Sequence, residues 1–125
     1  MRLQRVRQLL SQNGLMSDAS NLLSEADRAR DARNWSEAAE LYAGYLKLRR
    51  FDASIWVQYG HALKESGKLD EAENAYEQSL ILSPKVVDTH LQLGLLRKLK
   101  RNYSGAVTAY REALRIDRNS LVSQC

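Results

Sequence analysis

The chain has 125 residues, 44% of them hydrophobic and 27% charged, a balance that suits one small packed domain and excludes a disordered polar segment. Its 19 Lys and Arg are scattered among 15 Asp and Glu, so the net charge of +4 does not form the basic run of a nucleic-acid tail. No apolar run reaches the roughly 18 residues of a membrane span, and the one cysteine, Cys125, excludes an intrachain disulfide and agrees with a reducing cytoplasm.

In residues 2–12, Leu3, Val6, Leu9 and Leu10 share one helical face, with Arg2, Arg5 and Gln8 elsewhere. Asn13 and Gly14 supply a stop, so residues 1–18 are expected to form an N-terminal helix or extension. The segment is basic but lacks the unbroken apolar stretch of a secretory signal.

From residue 19 onward a period appears. Leu22, Trp56 and His90 recur every 34 residues. In the same register come Ala26, Gly60 and Gly94, then Ala38, Ala72 and Ala106, then Tyr42, Tyr76 and Tyr110, then Leu46, Leu80 and Leu114. Such a period marks a stacked solenoid, not a fold around one central core. The expected fold is all-α, with three helix-turn-helix units over 19–52, 53–86 and 87–120. First helices are expected near 19–32, 53–66 and 87–100, and second helices near 36–49, 70–83 and 104–117.

Turns fall at Arg33-Asn34, Gly67-Lys68 and Arg101-Asn102, where Gly or Asn can take the left-handed conformation. Asp70 with Glu73 reads as a capping pair, and Ser36 and Ser104 as N-caps. Pro84 closes a repeat because it cannot continue a helix. Small residues midway along the first helices and early in the second let paired helices approach. The tyrosines and leucines are expected to fill the space between neighbouring repeats.

Residues 121–125 read as a truncated tail or the start of a further first helix, as in a fragment of a longer protein. That would leave Val107, Tyr110 and Leu114 uncovered and available for self-association.

Trp56, Tyr59, Gly60, Leu63, Ala72, Tyr76 and Pro84 resemble the tetratricopeptide repeat. Leu93, Gly94, Ala106, Tyr110 and Ala113 carry the same pattern in the next unit, and Ala26, Ala38 and Tyr42 carry it in the first. The resemblance implies an α-α superhelix with a concave, ligand-binding face and no shared catalytic activity. It therefore implies a scaffold or adaptor that binds a peptide or protein segment. The stretches IWVQYGHALKESGKLDEAENAYEQSL and THLQLGLLRKLKRNYSGAVTAYREAL also resemble repeats that precede the catalytic domains of some bacterial glycosyltransferases. On that alternative, catalysis would lie in another domain.

Helical spacing places the candidate face. If Trp56, Gly60 and Leu63 face the partner helix, Val57, His61 and Lys64 form the adjacent stripe. Its equivalents are Leu23, Asp27 and Arg30, and Leu91, Leu95 and Lys98, with Ser24, Gln58 and Gln92 at the edge. Across the stack this makes an apolar row, a mixed row and a basic row that an extended peptide with an acidic group would match. The Lys-Asn-Arg clamp with which some members of the family hold a C-terminal carboxylate is absent, because Leu23, Asp27, Gln58, Asp88 and Gln92 occupy its places.

No catalytic, metal or cofactor set is expected. His61 has no second ligand at fixed spacing, and His90 stands in a packing column. Glu71 and Glu73 are assigned to a helix N-terminus, and Arg97, Lys98, Lys100 and Arg101 to a helix C-terminus that favours cations. A second alternative uses these basic residues to bind an acidic surface or nucleic acid. Trp35 and Tyr103, in one column, are read as inter-helix packing and not as base-stacking residues.

Overall fold

The computed structural model describes the backbone of residues 15–124 and the side chains of 18–119. The expected helix over 2–12 lies outside the described residues. Six helices follow one another: α1 (Leu15–Asp31), α2 (Trp35–Leu48), α3 (Ala53–Glu65), α4 (Leu69–Leu82), α5 (Val87–Leu99) and α6 (Tyr103–Gln124). Helices pair as α1 with α2, α3 with α4 and α5 with α6, and the pairs stack through α2 against α3 and α4 against α5. The architecture is an all-α, α-α superhelix, and no strand occurs among the described residues.

Each pair is closed by the same turn. Asn34, Lys68 and Asn102 donate their backbone N–H to the carbonyls of Ala29, Leu63 and Arg97, at 2.8, 2.9 and 2.8 Å. The preceding residues, Arg33, Gly67 and Arg101, donate to Arg30, Lys64 and Lys98 at 2.9 Å in each case. This double closure satisfies the orphan carbonyls of the first helix and places the residue before the Asn or Lys in the left-handed region. That residue is Arg33 (φ 61°), Gly67 (φ 84°) and Arg101 (φ 63°), so arginine and not asparagine takes the left-handed place in the first and third turns.

The caps differ from the expected ones. Asn102, not Ser104, caps α6, its side-chain Oδ1 accepting from the N–H of Gly105 at 3.1 Å. Asn34 precedes α2 without a side-chain cap bond, and Ser36 lies inside that helix. Asp70 and Glu71 sit in the first turn of α4, whereas Glu73 reaches across to the next repeat. The last helix does not end near 117. The stretch after Ile116 contains no Gly or Pro, and α6 runs unbroken to Gln124, with no turn after Ser120.

The core is one continuous column of side chains, not a central cluster. Tyr42, Tyr76, Leu22, Leu41, Leu63 and Leu96 are fully buried in it. Within a repeat the tyrosine packs directly against the first helix: a Cβ on Gly60 would lie 2.6 Å from the Tyr76 ring, and one on Gly94 2.6 Å from the Tyr110 ring. Glycine is required in these helices because the ring occupies the space of a side chain, which outweighs its helix cost of about 1 kcal/mol.

Consecutive repeats are joined by polar ties as well as by burial. Tyr45 of α2 donates to Asp52, the residue that precedes α3, at 2.7 Å. Glu73 accepts from Arg97 Nε at 2.8 Å and from Lys100 Nζ at 2.6 Å, with Asp70 on the other side of Lys100. Burial by itself would raise the Glu73 carboxyl, but the hydrogen bonds from Lys100 and Arg97 outweigh it and hold it below its ordinary value.

Candidate binding groove

The first helices α1, α3 and α5 share one continuous face. Arg30 Nη1 of α1 reaches Gln58 Oε1 of α3 at 3.5 Å, and Lys64 of α3 lines one cleft with Leu95 and Lys98 of α5. The stacking of equivalent turns makes this so: each first helix begins where the preceding second helix ends, in the same orientation.

In the first repeat this face is wired internally. Tyr42 donates to Asp27 Oδ1 at 2.7 Å. Arg30 lies 3.4 Å from Asp27 and 2.9 Å from Asp31. Burial and then the Asp27 hydrogen bond push the Tyr42 hydroxyl far above its ordinary range. The second repeat repeats the scheme with neutral groups. The Tyr76 hydroxyl and His61 Nδ1 are 2.6 Å apart, with the rings edge-on at 5.5 Å. Burial, then the charge of Lys64, lowers the His61 pKa, and the imidazole is neutral at neutral pH. In the third repeat the equivalent of Asp27 and His61 is Leu95, which cannot pair with the Tyr110 hydroxyl.

Exposure follows the same gradient. Leu23 and Val57 pack against the core, whereas Leu91 and Leu95 of α5 are 39% and 46% exposed. Gln92 is half-buried and Lys98 exposed beside them.

Residues 57–120 match the tetratricopeptide repeat family. The chain belongs to that family. No curated protein matches the sequence. Solved tetratricopeptide-type folds do. A MamA protein superposes with a TM-score of 0.80 at 18% identity, over 86% of this chain and 58% of that one. The Sgt2 TPR domain from Aspergillus fumigatus gives 0.72 at 25% identity, over 82% of this chain and 68% of that one. A chain of the CopN–Scc3 complex gives 0.76 at 18% identity, over 79% and 58%. Against a further MamA structure the chain spans 60% of that chain's length.

Within this tetratricopeptide stack, the expected site residues separate into two kinds. Asp27, Arg30, Gln58 and His61 touch one another or a core tyrosine and hold the repeats together. Leu91, Leu95 and Lys98 are exposed, and Lys64 is half-buried with Glu65 3.9 Å away. At the last pair, Val107 and Leu114 are exposed and Tyr110 is half-buried.

Three residues of the face were absent from the sequence-derived stripe: Leu99, Arg101 and Tyr103, which border the cleft with Lys64, Leu95 and Lys98. Tyr103 is not packed as its column implied: it is 61% exposed, whereas Trp35 packs against the core. A signal existed in the column 31, 65, 99, which reads Asp, Glu, Leu: an acid replaced by an exposed leucine. His90, expected as a packing residue, is half-buried and bonds through Nε2 to the Pro84 carbonyl at 2.8 Å, fastening the turn before α5.

Proposed function

We propose that the chain is a protein-interaction module that holds a peptide or protein segment on the face formed by α1, α3 and α5. The continuity of that face carries the reading: three equivalent helices present Gln58, Leu91, Gln92, Leu95, Lys64 and Lys98 to one side without an intervening element. Extended segments suit such a surface, since repeating pockets meet repeating side chains. A neighbour of the same fold occurs in a protein complex, CopN–Scc3, which supports an interaction role at the level of architecture.

The test uses exposed Leu91 and half-buried Gln58, which makes a 3.5 Å contact with Arg30, because Val57 packs into the core and its replacement would damage the fold. Gln58→Ala with Leu91→Glu is expected to abolish capture of the partner from an extract of the source cell while leaving helicity unchanged by circular dichroism. Retained capture would move the site away from the first helices.

A second reading concerns the last pair of helices. Leu46 is 4% exposed beneath the next repeat, but its equivalent Leu114 is 53% exposed, and Val107 is 44% exposed. Two copies could cover this face on each other with two-fold symmetry. Sedimentation under reducing conditions at tens of micromolar checks it, and a monomer overturns it.

A further inference from the structure

A cleft of about 550 Å³ lies where the second repeat meets the third, lined by Lys64, Leu95, Lys98, Leu99, Arg101 and Tyr103. Its chemistry is set by three columns. Positions 30, 64 and 98 keep a cation: Arg, Lys, Lys. Positions 27, 61 and 95 change from Asp to His to Leu, and positions 31, 65 and 99 from Asp to Glu to Leu.

In the first repeat the cation is neutralised locally, since Arg30 pairs with Asp31 at 2.9 Å and Asp27 at 3.4 Å. In the second, Lys64 Nζ still lies 3.9 Å from Glu65. In the third the acids have become leucines while the cation remains. Lys98 and Arg101 have no ion pair among the described residues, although their neighbours Arg97 and Lys100 are held by Glu73. Beside these free cations Leu95, Leu99 and Tyr103 are exposed, Leu99 by 63%.

A polyanion would meet the cations and leave the leucines wet. An apolar helix would cover the leucines and strip water from unpaired charges, at a cost. Only a ligand with both features matches. Resting on the groove reading above, we infer that this cleft docks an acidic segment of a partner protein in which carboxylates flank an apolar side chain. The carboxylates pair with Lys64, Lys98 and Arg101, and the apolar side chain lies on Leu95, Leu99 and Tyr103. Charge pairs at such an open rim set approach and specificity and are screened by salt, while the apolar contact is not.

The experiment is fluorescence anisotropy on the full chain with labelled peptides. The probe is Asp-Asp-Leu-Phe-Asp-Asp. One control replaces every Asp with Asn, and another replaces Leu and Phe with Ala. The probe is expected to bind at least about ten-fold more tightly than either control, each ten-fold being about 1.4 kcal/mol. Its affinity is expected to fall as NaCl rises from about 50 to about 500 mM. Leu95→Asp with Leu99→Glu restores the residue types of the earlier repeats at exposed positions, and is expected to lose about ten-fold or more of that affinity with unchanged thermal unfolding.

Equal binding of the Asn control, or full affinity in the Leu95→Asp, Leu99→Glu protein, overturns the inference. So does equally tight, equally sensitive binding of oligothymidylate, which would mark a polyanion site. The Gln58→Ala, Leu91→Glu protein keeps the two readings apart. It is expected to hold the probe within about two-fold of the parent, well below a ten-fold step. If the probe instead follows that variant and ignores the leucine variant, the groove reading stands and the cleft assignment falls.

Discussion

The first and third repeats share the helix-turn-helix layout and the same closing turn, yet their groove faces have opposite character. In the first, Asp27, Arg30, Asp31 and Tyr42 satisfy one another, and Arg30 reaches Gln58 of the next repeat. In the third, leucine occupies both acid positions, the Tyr110 hydroxyl has no partner in its column, and Lys98 and Arg101 are left unpaired among the described residues. Equivalent positions in a repeat are thus equivalent in geometry but not in availability. Polar groups that satisfy each other hold the stack together, and those without internal partners are what a ligand can meet.

The comparison is broken or sharpened first at the glycines. Gly60→Ala drives a methyl into the Tyr76 ring, which is fully buried and tied to His61. Its cost is expected at about 1–3 kcal/mol by thermal unfolding. Gly94→Ala meets Tyr110, which is only half-buried and can swing outward, so its cost is expected to be less than half as large. Equal costs would mean that the third repeat is as tightly closed as the second.

The next largest effect is expected at the tie between the second and third repeats. Glu73→Ala removes the acceptor of Arg97 and Lys100, and is expected to cost about 1–2 kcal/mol in chemical denaturation. Because the Glu73 carboxyl is held below its ordinary 4.5 in the folded chain, its contribution is present above that pH and lost as pH falls through the folded value. The variant should therefore show a flatter acid limb, and an unchanged limb would place the joint's stability elsewhere.

Smaller still are the hydroxyls. Tyr42→Phe and Tyr76→Phe are each expected to cost about 0.5–1.5 kcal/mol, and Tyr110→Phe to stay within about 0.5 kcal/mol of the parent. A cost at Tyr110 like that at Tyr42 would contradict the wired and open halves of the groove.

The smallest expected effect is a pH dependence carried by His61. Its folded pKa lies below the ordinary 6.5, so the unfolded chain takes up the proton more readily. Stability is then level above that pH, declines as pH falls towards the folded value, and levels again beneath it. His61→Gln is expected to remove this step from the profile measured by denaturant midpoint, leaving the Glu73 limb at lower pH.

Residue types alone determined the period, the six helices among the described residues and their turns. The alanines at 38, 72 and 106, the small residues at 26, 60 and 94 and the tyrosines sixteen residues after Ala26, Gly60 and Gly94 are local steric requirements that repeat along the chain. A 34-residue repeat cannot bury its apolar face alone, so the stack follows from the pattern itself. Tertiary structure decided which turn residue becomes left-handed, that Glu73 bridges repeats instead of capping α4, and that α6 continues past residue 117. It also divided the expected groove residues into partners of one another and residues open to a ligand. That division depends on Arg30 lying within reach of Asp27 and Asp31 while leucines stand at the equivalent places around Lys98: the residue types are in the sequence, and the distances that pair them are set by the packed helices.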